Sequence, residues 1–175
     1  MTRYVALLRG INVGRARQVD MPRLREVLDA RGHGNVRTHL RSGNVLLDSP
    51  LPEPELAGEL SLAIEKEFGF AVPVVLRTGA ELAGVLAEDP LGSLATDLSR
   101  YSVTFLPEPP DPGRVAALPP AEGGEYAVRG RELYLWLPDG MAAGVMAKWP
   151  WERLLGVAGT NRNWNTVTRL AELAA

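Results

Sequence analysis

The stretch VRTHLRSGNVLLD, residues 36–48, decides the fold because it predicts a tight β-hairpin. Side chains in its first half alternate between two faces, with Val36, Thr38 and Leu40 on one and Arg37, His39 and Arg41 on the other. Ser42 and Gly43 supply the turn, and the apolar run at residues 45–47 forms the returning strand. The segments on either side of this hairpin complete one small sheet with its covering helices.

Those flanking segments give a β-α-β-β-α-β order. An apolar run at residues 4–9 predicts the first strand, and VDMPRLREVLDARG, residues 19–32, predicts a helix with Asp20 at its N-cap. Apolar residues at helical spacing between Leu56 and Phe68 predict a second helix, and VPVVLR, residues 72–77, predicts the fourth strand. This is the order of a ferredoxin-like unit, in which strand 3 lies beside strand 1 and runs antiparallel to it.

A similar order begins again after a connecting helix, which Thr78 and Glu81 are expected to cap. Its elements are, in order, a strand at 101–106, a short helix at 114–118, a hairpin at 125–137 that turns at Gly130, and two helices around 141–155 and 163–173. No apolar run is left for a fourth strand, so the second unit is predicted to be incomplete.

The predicted architecture is therefore α+β, with two ferredoxin-like subdomains, the second incomplete, and a C-terminal helix. Helical periodicity is interrupted near residues 88–98, where Asp89, Pro90 and Gly92 occur. We place the boundary there, which gives a first subdomain with its connecting helix at residues 1–90. The second subdomain and the C-terminal helices occupy residues 91–175.

The composition excludes several classes of function. A chain of 175 residues that is 46% hydrophobic can bury one sizeable core or two small ones, and none of its apolar runs approaches the length of a membrane span. Zero cysteines exclude disulfides, thiolate nucleophiles and cysteine-bound zinc, and two histidines do not make a histidine-rich metal site. The sequence predicts a cytoplasmic protein with no membrane contact, no metal and no cofactor.

The net charge of −2 hides an uneven distribution. Residues 1–45 contain nine arginines and only three acidic residues, a balance of +6, whereas residues 46–175 have a balance of −8. Because local charge steers an anionic partner more than the total does, the first quarter of the chain is the part expected to attract anions.

Two short motifs in this basic region share the same chemistry. RGIN, residues 9–12, follows the first strand, and RSGN, residues 41–44, forms the tip of the hairpin. A ferredoxin-like sheet would place both at one end, where glycine backbone, arginine and asparagine amide could hold an anion. The residues predicted to do so are Arg9, Asn12, Arg41, Ser42 and Asn44.

The simpler interpretation of these motifs is that the glycines only turn the chain and the arginines are solvated strand ends. The glycine spacing matches neither G-x-G-x-x-G nor G-x-x-x-x-G-K-[ST]. In addition, Asp20 already occupies the helix N-terminus that would attract a phosphate.

Polar residues and tryptophans near the C-terminus could also contribute to a binding site. In GTNRNWNTVTRL, residues 159–170, Arg162 and Asn163 could line one wall of a ligand cleft, while Trp164 is the size and spacing of a core residue. Trp149 and Trp151 flank Pro150, and form either a contact surface or the buried start of a helix.

Three segments of the chain resemble the signature segments of the bacterial family called domain of unknown function 1697: YVALLRGINVG (4–14), VRTHLRSGNVLL (36–47) and TNRNWNTVTRL (160–170). The matching residues are Arg9, Asn12, Ser42, Gly43, Asn44, Arg162, Asn163, Trp164 and Asn165. The chain departs from the usual family pattern at Arg15, His39 and Arg41, where glycine, tyrosine and glutamine are typical. The resemblance implies two ferredoxin-like subdomains and no agreed biochemical role.

Together these features predict a protein that binds an anionic ligand, a nucleotide or the backbone of a nucleic acid, through its Arg, Asn and Gly loops. One alternative is a small enzyme acting on a phosphorylated or carboxylated metabolite, with His39 or a carboxylate moving the proton. Another is a protein-interaction module that uses Trp149 and Trp151. The sequence does not indicate an oligomeric state.

Overall fold

The computed structural model describes all 175 residues, which divide into two compact units. The first unit is Met1–Leu82 together with Leu170–Ala175, and the second is Ala83–Arg169. Each unit contains one four-stranded sheet in which every neighbouring pair of strands is antiparallel. The chain therefore has the predicted mixed α+β fold.

The first sheet has the spatial order β2-β3-β1-β4. Its strands and the helices that follow them are β1 (Thr2–Leu8), α1 (Met21–Asp29), β2 (Gly34–His39), β3 (Asn44–Ser49), α2 (Glu53–Phe68), β4 (Val74–Thr78) and α3 (Gly79–Glu88). As predicted, the third strand lies beside the first, and Leu7 stands opposite Asn44. The predicted capping box also forms, because Thr78 and Glu81 exchange side-chain to backbone hydrogen bonds of 2.8 and 3.1 Å.

One face of the first sheet carries α1 and α2. Alternate residues of the strands, such as Ala6 and Val45, pack there against helix residues such as Leu24 and Leu60. The opposite face is also buried, and it contains Val5, Leu7, Leu46 and the fully buried Arg77. Burial on both faces explains why β1 and β3 are nearly continuous apolar runs.

The second sheet has the corresponding order, β6-β7-β5-β8. Its elements are β5 (Tyr101–Phe105), α4 (Pro112–Ala116), β6 (Glu125–Arg129), β7 (Glu132–Trp136), α5 (Gly140–Ala143), α6 (Trp151–Leu155), β8 (Thr160–Asn163) and α7 (Trp164–Ala174). Short 3₁₀ turns lie at Leu98–Arg100 and Met146–Lys148. None of the chain's helices combines the length and the apolar character needed to cross a membrane.

The prediction that the second unit is incomplete is wrong, because Thr160–Asn163 forms its fourth strand, β8. This strand has four polar residues and no apolar alternation, so its sequence is typical of a helix cap. Polar contacts hold it instead: the Asn161 amide donates to the hydroxyls of Ser102 and Thr104, both at 3.0 Å. The single helix predicted for 141–155 is likewise interrupted, in sequence at Gly144 and Pro150.

Candidate functional site

Two loops meet at the C-terminal end of β1, and we call them together the first corner: residues 9–20 and the hairpin tip, residues 40–43. The backbone N–H of Leu8 donates to the carbonyl of Gly43 at 2.8 Å. The side-chain amide of Asn12 donates to the carbonyl of Arg41 at 2.7 Å. RGIN and RSGN are thus direct neighbours, although they are far apart in sequence.

Asn12 braces this corner with its whole side chain. Its backbone is left-handed, with φ of 53°, a conformation that asparagine tolerates better than most residues. Its Oδ1 accepts from the N–H of Val19 at 2.8 Å, and its Nδ2 donates to the carbonyls of Val19 and Arg41. The Asn12 amide therefore fixes the two loops to each other.

The hairpin tip is fixed in a similar way. Gly43 has φ of +99°, and a Cβ there would lie 2.8 Å from Cβ of Leu8 and from Cδ1 of Ile11. Asn44 is fully buried, and its amide donates to the His39 carbonyl at 2.7 Å. The sequence predicted Leu40 on the strand face of Val36, but Leu40 has φ of 63° and belongs to the turn.

Arg17 acts as a second brace that the sequence did not indicate. Its guanidinium donates to the carbonyl of Gly10 at 2.7 Å and to that of Ala71 at 2.6 Å, and it lies 4.9 Å from the centre of the Phe70 ring. Gln18 was missed as well: it accepts from Arg41 at 3.2 Å and donates to the Gly14 carbonyl at 2.8 Å. Neither role has a sequence signal, because both depend on the path of an irregular loop.

Two separate pockets open at the first corner. One, of about 430 Å³, is lined by Arg9, Gly10, Val13, Arg17 and Pro73. The other, of about 470 Å³, is lined by Gln18, Val19, Asp20, Met21, Pro22 and Arg41. Ser42 is exposed beside Arg41 at the hairpin tip. Each pocket therefore has an arginine from one of the two predicted motifs.

Two arginines of this corner, Arg17 and Arg41, differ in their partners from three others in the first unit. Elsewhere the guanidinium groups of Arg3, Arg23 and Arg31 lie within 4 Å of the carboxylates of Asp48, Glu67 and Glu59. The Arg23 hydrogen bond lowers the pKa of Glu67, and Asn35 together with Arg3 lowers the pKa of Asp48. Arg17 and Arg41, in contrast, contact neutral carbonyl and amide groups, so their positive charge is not neutralised.

Asp20 is the acidic residue of the first corner. It stands at the N-cap position of α1, as predicted, but its carboxylate makes no capping hydrogen bond. Because it lines the same pocket as Arg41, it lowers the positive potential there. The pocket that contains Arg9 is lined by no carboxylate.

Arg162 and Asn163 are held within the second unit. Arg162 is buried in β8, where it donates to the Thr160 hydroxyl at 2.7 Å and to the Asn161 carbonyl at 2.8 Å. Its burial lowers the pKa of its guanidinium to about 10. Asn163 is exposed, and its Oδ1 accepts from the N–H of Thr166 at 2.9 Å, which caps α7.

The tryptophans divide into a core residue and a surface pair. Trp164 is buried and stacks on Tyr101, with ring centres 4.5 Å apart, as its spacing predicted. Trp149 and Trp151 are half-buried and contact the ring of Tyr126, with centres 6.0 and 5.4 Å away. We call Tyr126, Trp149 and Trp151 the aromatic cluster.

Two observations concern the enzyme alternative with His39 and the question of a metal site. His39 is half-buried at the end of β2, and its ring makes no hydrogen bond or ion pair. The structure brings together no group of three His, Asp or Glu side chains that could hold a metal ion.

Comparison with known proteins gives a family and a fold. A solved structure of the conserved bacterial protein SP0830 from Streptococcus pneumoniae matches with a TM-score of 0.78 at 23% identity, over 99% of each chain. At this identity the likeness shows the fold alone. No curated protein matches the chain. The model of the family described as protein of unknown function (DUF1697) matches residues 1–134, and the chain therefore belongs to that family, as its three signature segments predicted.

Proposed function

We propose that the protein binds an anion with several charges along its length, a nucleotide or a nucleic-acid backbone, at the first corner. The observation that carries this proposal is the Asn12 brace, which holds the loop of Arg9 against the loop of Arg41 through a 2.7 Å hydrogen bond. A brace of this kind fixes two arginine-lined pockets at a constant separation. Preorganised donors of this kind lose little entropy when a ligand binds.

The form of the site favours an extended anion over a single phosphate. The two pockets share no lining residue, and an anion with several phosphate groups could occupy both. Arginine binds phosphate oxygens through a planar fork of donors, and a chain of phosphates presents such groups in succession. In this proposal Arg9, Arg41 and Ser42 contact the ligand, while Asn12 and Asn44 position the loops.

The remaining predictions belong to the same proposal. Arg162 and Asn163, which lie in the second unit, are proposed as further candidate ligand residues in the polar segment at the start of α7. Each unit is proposed to be ferredoxin-like, which the orders β2-β3-β1-β4 and β6-β7-β5-β8 support. We also propose that the two subdomains divide near residue 90 and that the protein is cytoplasmic.

A thermal-shift assay tests the binding proposal. The panel contains inorganic phosphate, a nucleoside diphosphate, and single- and double-stranded oligonucleotides, each at low and high salt. At about 100 times its dissociation constant a ligand stabilises the fold by about 2.7 kcal/mol, which raises the melting temperature by roughly 5–10 °C. We expect this for the nucleotide or the oligonucleotides, with strong salt dependence for the latter.

Matched variants show whether the first corner is responsible. Arg9→Ala and Arg41→Ala should each abolish most of the shift, since an extended anion uses both pockets. Arg153→Ala removes the same charge from an exposed position in α6 and should leave the shift unchanged. A shift that survives both corner variants, or no shift with any member of the panel, would contradict the proposal.

A further inference from the structure

The outer edge of β6 has no neighbouring strand. In the second sheet β6 pairs only with β7, in continuous register from Glu125–Trp136 to Arg129–Glu132. A strand edge of this kind presents a row of backbone donors and acceptors to other chains. We propose that it joins a second copy of this chain, with the two β6 strands antiparallel about a two-fold axis at Ala127.

The hairpin geometry determines which backbone groups face outward. Only Gly130 and Arg131 separate β6 from β7, so Arg129 and Glu132 form a pair that exchanges both backbone hydrogen bonds. Alternation then directs the backbone groups of Ala127 and Glu125 toward β7. The N–H and C=O groups of Tyr126 and Val128 face the open edge.

In the single chain, these outward groups are covered by the strand's own charged side chains. The Tyr126 N–H donates to the Glu125 carboxylate at 3.0 Å, and the Arg129 guanidinium donates to the Val128 carbonyl at 3.0 Å. Both side chains are long and lie at the surface, so a second strand can take over these backbone bonds at little cost. The released Glu125 carboxylate can then reach the Arg129 guanidinium of the other copy, which in the single chain also lies 3.3 Å from the Glu88 carboxylate.

The sequence of β6, EYAVR, is complementary to itself when reversed. With the axis at Ala127, each Tyr126 lies opposite Val128 of the other copy, and these are the residues whose backbone groups face outward. Each Glu125 lies opposite Arg129 of the other copy on the other face of the sheet. The arrangement gives four backbone hydrogen bonds, two aromatic to β-branched pairs and two ion pairs, all of which favour antiparallel pairing.

The corresponding edge strand of the first sheet, β2, lacks this complementarity. Its register with β3 shifts between Gly34 and Arg37, and such an irregularity discourages further strands from adding. Reversed on itself, GNVRTH would place Val36 opposite Arg37 and give no ion pair. The second copy is therefore expected at β6 and not at β2.

The aromatic cluster adds apolar surface beside the β6 edge. Tyr126 belongs to β6, and its ring contacts the half-buried Trp149 and Trp151. In the two-fold arrangement the clusters of both copies lie on the helix-bearing face next to the new strand pair. Aromatic residues are enriched at such interfaces because one end packs while the other stays hydrated. A five-residue edge alone is small, so we expect a reversible dimer.

Sedimentation velocity over a concentration series tests the proposal with charge-reversal variants. Glu125→Arg and Arg129→Glu each place like charges opposite each other, so each variant should dimerise at least about tenfold more weakly than the natural chain. When the two variants are mixed, opposite charges meet again, and heterodimers should form with nearly the natural affinity. Glu55→Arg, an exposed change on α2, is the matched control and should have no effect.

Every outcome decides for or against the β6 interface. Weakened single variants that recover on mixing support both the edge and its register. A natural chain that stays monomeric up to about 1 mM contradicts the proposal, as does a dimer whose dissociation constant is unchanged by both reversals. Circular dichroism of each variant verifies the fold, and variants that are folded but fail to recover on mixing contradict the Ala127 axis.

Discussion

The same backbone corner occurs in both units of the molecule, but its loop is basic in the first unit and acidic in the second. At the end of β1 the N–H of Leu8 donates to the Gly43 carbonyl at 2.8 Å, and at the end of β5 the N–H of Leu106 donates to the Arg131 carbonyl at 2.9 Å. We call the second of these the second corner: residues 107–113 and the hairpin tip at 130–131. Both corners join the end of a first strand to the tip of the hairpin beside it.

The loops that make the two corners share no residue pattern. The first loop, RGINVGRARQVD at 9–20, has three arginines and one acidic residue, Asp20, whereas the second, PEPPDPG at 107–113, has two acidic residues and no basic one. The loop at 107–113 shows that the chain can leave the first strand of such a unit without asparagine or arginine. Turning the chain is therefore an insufficient reason for the arginines and the asparagine of the first loop, and the proposed anion binding would give these residues a role.

The largest expected difference between the corners is at their hairpin glycines. Gly43→Ala should lower the free energy of unfolding by about 3 kcal/mol, because its Cβ would meet Leu8 and Ile11 at 2.8 Å in a left-handed conformation. Gly130→Ala, where the nearest atom is 3.8 Å away, should cost only about 1 kcal/mol. Urea unfolding measures both, and equal costs would contradict the tighter packing of the first corner.

Asn12 should have the next largest effect. Asn12→Ala removes the acceptor for the Val19 N–H and the donor to the Arg41 carbonyl at a left-handed position, which should cost about 2 kcal/mol. Glu108→Ala in the second corner should change stability by less than about 0.5 kcal/mol. Asn12→Gly relieves the backbone strain and separates that effect from the lost hydrogen bonds. If Asn12→Gly is fully stable, the brace contributes nothing.

The two sheets also differ on the face opposite their main helices. This difference predicts a smaller effect, which is a dependence of stability on pH. That face is aliphatic in the first unit, with Val5 and Leu7, and aromatic in the second, with Tyr101 and Tyr134. Burial raises the pKa of both tyrosines. Above about pH 10 the unfolded chain loses these protons while the folded chain keeps them, so stability falls as pH rises.

Tyr134→Phe isolates this contribution. Between about pH 9 and about pH 11, the loss of unfolding free energy should be smaller by about 1 kcal/mol in the variant than in the natural chain. Chemical unfolding at a series of pH values measures this difference. Parallel curves for the two proteins would show that Tyr134 ionises equally easily in the folded and unfolded chains.

The smallest expected effect concerns the helices that follow the two fourth strands. Thr78 caps α3 and Asn163 caps α7, so Asn163→Ala should cost about 1 kcal/mol, as should Thr78→Ala. Asn163→Asp keeps the acceptor and should be nearly neutral. If Asn163→Asp destabilises as much as Asn163→Ala in thermal unfolding, a role other than capping is responsible.

The sequence predicted the first unit well because its elements follow hydrophobic periodicity. The first strand, α1 with Asp20 at its N-cap position, the hairpin and the Thr78 capping box are all confirmed. The prediction that RGIN and RSGN lie close together came from the strand order alone. The polar strand β8 was missed because side-chain amides and hydroxyls hold it, and these leave no period in the sequence.

The sequence predicted where the candidate site lies, but not which of its residues hold the loops in place. Sequence reasoning gave Asn12 and Asn44 the same role as Arg9 and Arg41, whereas the asparagine amides are used in holding the loops. The contacts of Arg17 and Gln18 form in an irregular loop with left-handed backbone at Asn12 and Arg17. Such roles follow from tertiary geometry that pattern and propensity do not contain.

The most direct test of the anion proposal is a titration followed by ¹H–¹⁵N NMR, with a nucleoside diphosphate as the ligand. The account predicts saturable shifts of the backbone amides of Gly10, Gly14 and Gly43 at the first corner, and none at Gly113 and Gly130 of the second. Shifts of equal size at both corners, or confined to the second, would contradict the claim that the first corner is the binding site.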